Sequence, residues 1–517
     1  MMSYLSIETI AGLINSKETR RSLKILWVAA LMGLLGSIGL VIWYVADGVP
    51  GHTSGVWAAL AHDFSLGILY RPVFDDFGYG GTRYMPLYFI LFGMLINIFQ
   101  DPLVAGFCLS LAAVVFLDVG LYFLLREFGV RSRVALPLAA LPHASISFQL
   151  LTLEYRGDFL AAGLNIWGIL LAIKFLKKPR WFMMLISSLA FSGAMFTKFT
   201  TVQGFGSILI FYLLQGRKKS AFWQTAIIGA LGVFNLLLLH ISSDGRMLSN
   251  VMACLLGGGS MDYALKTPFW FAFVIAQDPF LLVVVCLATF LAFKTARTGG
   301  KSLPNIYFFV TFIFTLLIFS SRGTDHNHLM DLLIASALII GINFQKLPEY
   351  CKYYNMTFAF IILGIFVTWL PGTISIRHHM EAVGKPTRAN LMYIGERLGP
   401  NVKNLLSENP LVPLMLGQRP ILMDAFSLRL TAKKYPEIDK DFNRKIATQF
   451  YGAVVLMDFS GAPMDELEEA MENHLSKGTY KFLGDVHFNK GFLDRLKKHY
   501  YLSFARSPFV VYEPKIE

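Results

Sequence analysis

Long apolar runs fill most of the first 372 residues of this 517-residue chain, and they restrict its fold more than any other feature. A membrane-spanning helix needs about 20 predominantly apolar residues, because the hydrocarbon core of a bilayer is about 30 Å thick. Eleven runs approach that length, at 25–46, 103–125, 134–150, 159–175, 181–197, 199–215, 222–240, 270–293, 303–320, 329–345 and 355–372. The sequence therefore predicts a polytopic α-helical membrane protein with about eleven transmembrane helices.

The distribution of charge predicts two domains. Only 15% of the residues are charged and 55% are hydrophobic, whereas a soluble domain carries about 25% charged residues. From Gly372 onward, however, the chain has 20 lysines and arginines and 17 aspartates and glutamates, a normal density for a soluble domain. We therefore expect a transmembrane domain over 1–372 and a soluble domain over 373–517. This composition excludes a water-soluble enzyme, and four cysteines are too few for a disulfide scaffold.

The soluble segment alternates short apolar stretches with helical patterns. Val402–Leu406, Pro420–Met423 and Ala453–Met457 are predicted strands, and Met464–Leu475 and Gly491–His499 are predicted helices with charged faces. Such alternation is typical of a small α/β domain.

The basic clusters predict the orientation in the membrane. Lysines and arginines concentrate at 17–24, 126–133, 174–180, 217–219, 294–301 and 346–352. If all six clusters face the cytoplasm, an even number of spans separates each neighbouring pair. That parity requires the apolar run Met85–Phe99 to be an interfacial or re-entrant helix. It places the N-terminus inside on a retained anchor, and the loop 47–102 and the C-terminal α/β domain outside. The net charge of +12 then needs no nucleic acid to explain it.

Candidate functional residues in the first outer loop are two neighbouring carboxylates and a cation. Asp75 and Asp76 repel each other, so one could have a raised pKa and act as a general base; an ordinary solvated turn explains the pair equally well. Arg83 precedes the interfacial helix at a depth where it could hold a lipid phosphate or anchor at the headgroups. Tyr84 beside it fits a substrate contact or an aromatic belt.

Ionisable residues in the next two outer turns are candidates because charges are costly near lipid. Glu154, Arg156 and Asp158 stand between two predicted spans, where they could serve a substrate or simply pair with each other. Lys198 interrupts an apolar stretch in the following outer turn. It is either a phosphate-binding lysine or a residue that reaches water in a tight turn.

The late outer loop Ser320–Asp331 contains Arg322, Asp325 and Asn327, which we expect to bind substrate through hydrogen bonds. His326, His328 and Asp331 in the same loop suggest a metal, but two histidines in a short loop are a weak motif and the chain has no HExxH or CxxC partner. We therefore expect no metal and no cofactor. The chain also has no Walker A motif that could drive transport with ATP.

Four short motifs together resemble the GT-C superfamily of integral-membrane glycosyltransferases, in particular the protein O-mannosyltransferases and the aminoarabinose transferases of lipid A. They are Arg83-Tyr-Met-Pro-Leu-Tyr, Arg156-Gly-Asp158, Phe196-Thr-Lys198 and Arg322-Gly-Thr-Asp-His-Asn-His328. The segment 405–424 resembles the soluble tail of bacterial members. One difference stands out: these families usually have an acidic residue soon after the first span, and here that stretch reads His52-Thr-Ser-Gly55.

The resemblance implies an inverting glycosyltransferase of a bacterial inner membrane. Its donor would be a polyprenyl-phosphate sugar, and its acceptor a hydroxyl of a lipid, glycan or protein. It further implies Asp75, Asp76 or Asp158 as catalytic carboxylates, and Arg83 and Lys198 as cations for the leaving phosphate. A glycolipid transporter or flippase, and a catalytically inactive assembly partner of the same fold, are the alternatives. The concentration of polar groups at one face favours the enzyme, because a transporter would place them near the midplane.

The orientation is testable with reporter fusions. A reporter fused after Tyr501 is expected to be active outside the cytoplasm, and one fused at Gly299 inside it, because the parity of the basic loops separates these two points. Alkaline phosphatase and green fluorescent protein fusions at both positions provide the measurement. The predicted orientation is wrong if both fusion points lie on the same side.

Overall fold

The computed structural model describes residues 17–45, 48–255, 261–297, 302–321, 324–344, 387–457, 466, 487–488 and 491–516. The predicted span 355–372 and almost all of the predicted helix Met464–Leu475 lie outside these residues, as does Arg322.

The N-terminal part is built of helices joined by short turns. They are α1 Lys17–Val45, α2 His52–Ser65, α3 Pro86–Phe99, α4 Pro102–Glu127, α5 Ser132–Ala140, α6 Ile146–Thr152, α7 Asp158–Lys177, α8 Trp181–Thr197, α9 Gln203–Leu214, α10 Lys218–Ser242, α11 Arg246–Leu255, α12 Met261–Ala276, α13 Pro279–Arg297, α14 Leu303–Ile318 and α15 Met330–Asn343. Short 3₁₀ turns at Leu141–Ala144 and His326–Leu329 precede α6 and α15.

Fewer helices reach spanning length than the eleven that the sequence predicts. Among the described residues, five helices are long and apolar enough to cross a membrane: Leu26–Val45, α4, α7, α10 and α13. A sixth forms if α5 and α6, which meet at an angle of 79°, count as one broken span. The predicted spans 181–197, 199–215, 303–320 and 329–345 become helices of 12 to 17 residues. A 14-residue helix is only about 21 Å long. The prediction of eleven spans is therefore not confirmed.

The predicted span 270–293 is wrong as a single helix, and one buried carboxylate explains the break. The chain leaves α12 at Ala276 and restarts at Pro279. Asp278 accepts a hydrogen bond from the Leu281 backbone N–H at 3.0 Å. It also accepts the Ser145 hydroxyl at 2.5 Å and the Ser147 N–H at 2.9 Å. Asp278 thus caps α13 and contacts the start of α6. One side chain therefore stabilises both the bend between α5 and α6 and the break between α12 and α13.

The C-terminal part combines helices with one four-stranded sheet, and we call it the C-terminal α/β unit. Its elements are α16 Arg388–Leu398, β1 Leu405–Ser407, α17 Leu411–Met415, α18 Ala425–Lys434, α19 Pro436–Ala447, β2 Ala453–Met457, α20 Phe492–His499, β3 Tyr500–Arg506 and β4 Phe509–Pro514. The strand order is β1-β2-β4-β3; β1 is parallel to β2, and the other two pairs are antiparallel. Ala453–Met457 is a strand with the predicted bounds, but β3 and β4 were not predicted.

The predicted strand Pro420–Met423 is not part of this sheet. Leu422 instead forms an isolated parallel bridge with Tyr79 of the first outer loop. The Tyr79 N–H donates to the Ile421 carbonyl at 2.8 Å, and the Met423 N–H donates to the Tyr79 carbonyl at 2.9 Å. The segment is extended because it pairs with the loop, which ties the loop to the C-terminal unit.

A second contact joins helix α2 to the C-terminal unit with almost no space between them. The Asn409 amide is fully buried and donates to the Pro50 carbonyl at 3.2 Å. A Cβ added at Gly55 would lie 2.0 Å from the Asn409 Oδ1 and 3.1 Å from the Leu411 N. Glycine is therefore required at position 55 by close approach of the C-terminal unit.

This close approach predicts a destabilising substitution. Gly55→Ala is expected to lower the free energy of unfolding by about 1–3 kcal/mol, the usual cost of overpacking, and to lower the Tm of the purified protein in detergent. Gly229→Ala, in a helix where an added Cβ meets nothing within 4 Å, is the matched control and should leave the Tm unchanged or slightly higher. Equal Tm values for the two variants would show that the Gly55 contact is loose.

Candidate functional site

Three helix ends meet at one buried carboxylate. Asp158 is the first residue of α7, Lys198 follows the last residue of α8, and Asn327 lies in the 3₁₀ turn before α15. The Lys198 Nζ donates to the Asp158 Oδ1 at 2.6 Å and the Asn327 Nδ2 donates to the same oxygen at 2.9 Å. The Arg156 Nε donates to the Asp158 Oδ2 at 3.2 Å. The structure thus brings together four residues that the sequence singled out.

Two cations of this Asp158 cluster contact its carboxylate directly, and the carboxylates of Glu154, Asp325 and Asp331 lie within electrostatic reach of these cations. One carboxylate faces a lysine and an arginine, and both of its oxygens accept hydrogen bonds. The carboxylate is 7% exposed, whereas the Lys198 and Arg156 side chains are 19% and 20% exposed. Each cation therefore has N–H groups directed away from Asp158 that can reach a ligand. The cluster is suited to hold an anion, and Asp158 is poorly placed to accept a proton.

Glu154 attaches this cluster to the start of α2. The Ser54 hydroxyl donates to the Glu154 Oε2, and the Tyr155 N–H donates to the Ser54 Oγ at 2.9 Å. A Cβ at Gly51 would lie 3.6 Å from the Glu154 Oε1. The first turn of α2 and the loop before α7 therefore form one wall of the site.

Arg83 and Tyr84 lie between this wall and the C-terminal unit. The Arg83 guanidinium lies 4.7 Å from the centre of the Phe426 ring, and the Tyr84 ring packs at 4.6 Å from that of Trp57 in α2. Burial raises the pKa of Tyr84 to about 12, and the carboxylate of Asp424 adds to that shift. Tyr84 therefore remains a neutral hydrogen-bonding group at physiological pH.

Asp75 and Asp76 lie elsewhere, in an exposed turn. The Asp75 Oδ1 accepts the Gly78 N–H at 2.8 Å, and the Asp75 N–H donates to the Gly78 carbonyl at 3.0 Å. The Asp76 carbonyl accepts the Lys445 ammonium at 3.4 Å. These contacts belong to a turn packed on the C-terminal unit, and the structure does not bring the two carboxylates into the Asp158 cluster. Their catalytic role stays a prediction.

In the segment Ser320–Asp331, Asn327 binds Asp158, whereas Asp325 contacts His326. The Asp325 Oδ1 lies 2.5 Å from the His326 Nδ1 and accepts the His326 backbone N–H at 2.7 Å. Arg322 falls outside the described residues. Within the described part of the chain, no group of three or more His, Cys, Asp or Glu side chains could hold a metal ion.

Two acid–histidine pairs beside the site were missed by the sequence analysis. The His52 Nε2 lies 3.3 Å from the Asp424 Oδ1, and the His487 Nδ1 lies 2.6 Å from the Glu408 Oε1. The two imidazole rings stack with their centres 4.2 Å apart. His52 was conspicuous only as the residue that replaces an expected acid. Nothing in the sequence indicated its partners.

The His487–Glu408 pair predicts a pH dependence of stability. Burial lowers the pKa of His487, but the Glu408 carboxylate outweighs it, so the pKa lies above the usual 6.5. Burial raises the pKa of Glu408, but His487 and the Met457 N–H hold it below the usual 4.5. A raised histidine pKa stabilises the fold below pH 6.5, and that contribution disappears as the pH rises through the shifted value.

The Tm of the wild type is therefore expected to fall as the pH rises above about 6.5, and that part of the slope should be absent from His487→Gln. Scanning calorimetry between pH 5 and pH 9 on both proteins gives the comparison. Parallel curves would mean that the pair does not couple to unfolding.

No protein-family model matches this chain, and no curated protein matches its sequence. Solved structures do match. ArnT from Cupriavidus metallidurans bound to undecaprenyl phosphate superposes with a TM-score of 0.52 at 10% identity over 98% of each chain. The oligosaccharyltransferase of Archaeoglobus fulgidus in the apo form gives 0.54 at 13% identity, over 96% of this chain and 74% of that one. AglB from the same organism, in complex with an inhibitory peptide and a dolichol-phosphate, gives a TM-score of 0.51 at 12% identity. The match again covers 96% of this chain and 74% of that one.

Both neighbours are GT-C enzymes, and the apolar helices described above agree with their architecture. This chain is a multi-pass membrane protein with a GT-C-like fold.

Proposed function

We propose that this protein transfers a sugar from a polyprenyl-phosphate-linked donor to an acceptor hydroxyl at the outer face of the membrane, with inversion at the anomeric carbon. The observation that carries the proposal is the Asp158 cluster, in which Lys198 and Arg156 share one buried carboxylate and remain partly exposed. A site with two partly exposed cations at the ends of apolar helices suits a phosphate that is attached to a lipid tail.

In the reaction, the bond between the anomeric carbon and the phosphate oxygen breaks and the phosphate gains negative charge. Lys198 and Arg156, held in place by Asp158, stabilise that charge without having to reorganise. Arg83 adds a third cation on the side of the C-terminal unit. The donor phosphate is then bound more tightly in the transition state than in the ground state, which is the requirement for catalysis.

The sugar and the acceptor are assigned to the polar groups around this phosphate site. Glu154, Tyr84, Asn327 and Asp325 offer carboxylate, phenol and amide groups suited to sugar hydroxyls. The acceptor proton needs a base, for which Asp75, Asp76 and Asp158 are the carboxylates suggested by the family resemblance. Of these, Asp158 has both oxygens occupied and is better suited to positioning the cations.

The bound ligands of the structural neighbours support a lipid phosphate. ArnT was solved with undecaprenyl phosphate, and AglB with a dolichol-phosphate and a peptide. A GT-C-like fold in this chain fits a donor of the same chemical class. We further propose a bacterial inner membrane as the location, with the C-terminal domain outside the cytoplasm.

Lys198→Ala tests the phosphate site. The substitution is expected to weaken binding of undecaprenyl phosphate by about 1–3 kcal/mol, the range for a hydrogen bond to a charged group. Lys198→Arg should retain part of the affinity, because the charge remains but the geometry changes. Lys177→Ala is the matched control: Lys177 lies at the other end of α7, where it pairs with Glu127 at 2.7 Å. Calorimetry or native mass spectrometry of the purified protein in detergent provides the measurement.

Equal affinities for wild type, Lys198→Ala and Lys177→Ala would contradict the proposed phosphate site. An inactive assembly partner would bind the lipid phosphate but release none from a lipid-linked sugar. A flippase would move the lipid-linked sugar between leaflets of a vesicle without cleaving it. Assaying cleavage and translocation on the same preparation distinguishes these alternatives.

A further inference from the structure

His52 and Asp424 form a buried pair that the sequence analysis did not anticipate. His52 is the first residue of α2 and Asp424 is the residue before α18. The His52 side chain is 12% exposed, the Asp424 carboxylate is 3% exposed, and the His52 Nε2 lies 3.3 Å from the Asp424 Oδ1. Two residues far apart in the sequence are thus held together where the first outer loop meets the C-terminal unit.

Asp424 is fixed in orientation and in charge. Its Oδ2 accepts the Ser427 hydroxyl at 2.6 Å, and its Oδ1 accepts the Phe426 N–H at 3.1 Å. Burial raises the pKa of Asp424, but His52 and Ser427 outweigh it and bring the pKa to about 2. An ionised carboxylate can only accept hydrogen bonds. The Nε2 of His52 lies 3.3 Å from this carboxylate without forming a hydrogen bond. The nearby negative charge favours the tautomer with the proton on Nε2, so Nδ1 is the nitrogen that can accept a proton.

The pair lies beside the groups proposed to bind the donor. His52 is two residues before Ser54, whose hydroxyl donates to Glu154 in the loop that leads to Asp158. On the other side, the Arg83 guanidinium packs on the ring of Phe426, two residues after Asp424. The imidazole thus stands between the wall formed by α2 and the cation Arg83.

Several nearby carboxylates are already engaged. Asp158 accepts hydrogen bonds at both oxygens, from Arg156, Lys198 and Asn327. Glu154 accepts the Ser54 hydroxyl at one oxygen, and Asp75 bonds within its exposed turn. The buried Oδ1 of Asp331 has no hydrogen-bond partner among the described residues, so Asp331→Asn is tested beside His52→Ala. The imidazole of His52 belongs to the class of side chains that most often serve as general bases.

We propose that His52 is the general base of the sugar transfer and that Asp424 is its positioning residue; the proposal rests on the function proposed above and specifies its base. The acceptor oxygen forms a bond to the anomeric carbon while the bond from that carbon to the phosphate oxygen breaks. The electron pair of the broken bond leaves with the polyprenyl phosphate. The acceptor proton passes to the Nδ1 of His52, and Asp424 stabilises the resulting imidazolium without taking the proton.

Four other ionisable groups lie near His52. Asp424 favours the imidazolium. His487 stacks on His52 with ring centres 4.2 Å apart, and when protonated it opposes a second positive charge. Glu408 pairs with His487 at 2.6 Å and offsets that effect. Glu154 lies near the start of α2, since a Cβ added at Gly51, the residue before His52, would be 3.6 Å from its Oε1. The pH dependence of kcat can therefore include effects of both acid–histidine pairs. Variants of His52–Asp424 and of His487–Glu408 are needed to separate them.

The experiment uses the purified full chain in nanodiscs with hexoses and pentoses linked to undecaprenyl phosphate or to dolichyl phosphate, and it measures release of the corresponding lipid phosphate. Water serves as acceptor where no hydroxyl acceptor is known. His52→Ala is expected to lower kcat by about 10²–10⁴-fold, the usual effect of losing a general base, with undecaprenyl phosphate binding unchanged. Added imidazole should restore part of the kcat. His240→Ala, at an exposed histidine of α10, is the matched control and should behave as wild type.

Asp424→Asn tests the positioning role separately. Loss of the carboxylate removes support for the imidazolium, so the acidic limb of the kcat profile should move to lower pH and kcat should fall. A purely structural role would lower the Tm and the yield without moving the limb. His487→Gln should change the Tm profile and, because it leaves the Glu408 carboxylate uncompensated beside His52, should move the acidic limb to higher pH, opposite to the effect of Asp424→Asn.

The proposal is overturned if wild type releases lipid phosphate and purified His52→Ala does so at a similar kcat, or if imidazole gives no rescue. It is also overturned if activity disappears in Asp75→Asn or Asp76→Asn and persists in His52→Ala. If wild type releases no lipid phosphate from any donor in the panel, the proposed function itself fails, which is a distinct result.

Discussion

The site depends on the cost of burying charge. Asp158 is a carboxylate at the end of an apolar helix, where an uncompensated charge would cost several kcal/mol. Lys198, Arg156 and Asn327 satisfy it, and because they come from three different parts of the chain, their convergence fixes how α7, α8 and the turn before α15 meet. The same interaction leaves Lys198 and Arg156 partly exposed, with N–H groups that Asp158 does not use. The arrangement that joins the helices therefore also provides two cations that can bind an anion.

The C-terminal unit completes this site. Residues 421–423 hydrogen-bond to Tyr79 of the first outer loop, and Asn409 packs against Gly55 so closely that a methyl group would not fit. Arg83, which belongs to the loop, packs on Phe426, which belongs to the C-terminal unit. The α/β unit therefore packs against the same loop that carries Arg83. In the proposed reaction, such packing would help to exclude water, which would compete with the acceptor.

Sequence reasoning succeeded where local chemistry decides and failed where distant contacts decide. Asp158, Lys198 and Asn327 were identified because polar residues at the ends of apolar runs are costly without a partner, but their mutual distances could not be derived from positions up to 169 residues apart. Asp75 and Asp76 were conspicuous as neighbouring acids, yet the hydrogen bond from Gly78 to Asp75 makes that segment a turn. The run 270–293 seemed continuous because Asp278 contributes little to its mean hydropathy, although one capping carboxylate is enough to break a helix. Strands β3 and β4 were missed because their pairing with β2, and not their own pattern, makes them strands.

The replacement of an expected acid by His52 has a physical consequence for how such a site can work. A carboxylate base in a water-poor site must have its pKa raised by burial before it accepts a proton near neutral pH. Such a carboxylate becomes more basic only when the cations and hydrogen-bond donors that stabilise its negative charge are absent. An imidazole starts near the required pKa and gains basicity when an acidic partner is added. Asp424 lies 3.3 Å from His52 and comes from the C-terminal unit, not from the helices. In the proposed mechanism His52 meets Asp424 only when the α/β unit is seated on α2, so the contact between these two parts of the chain also positions the proposed base. A carboxylate in the loop alone would not couple this contact to basicity in this way.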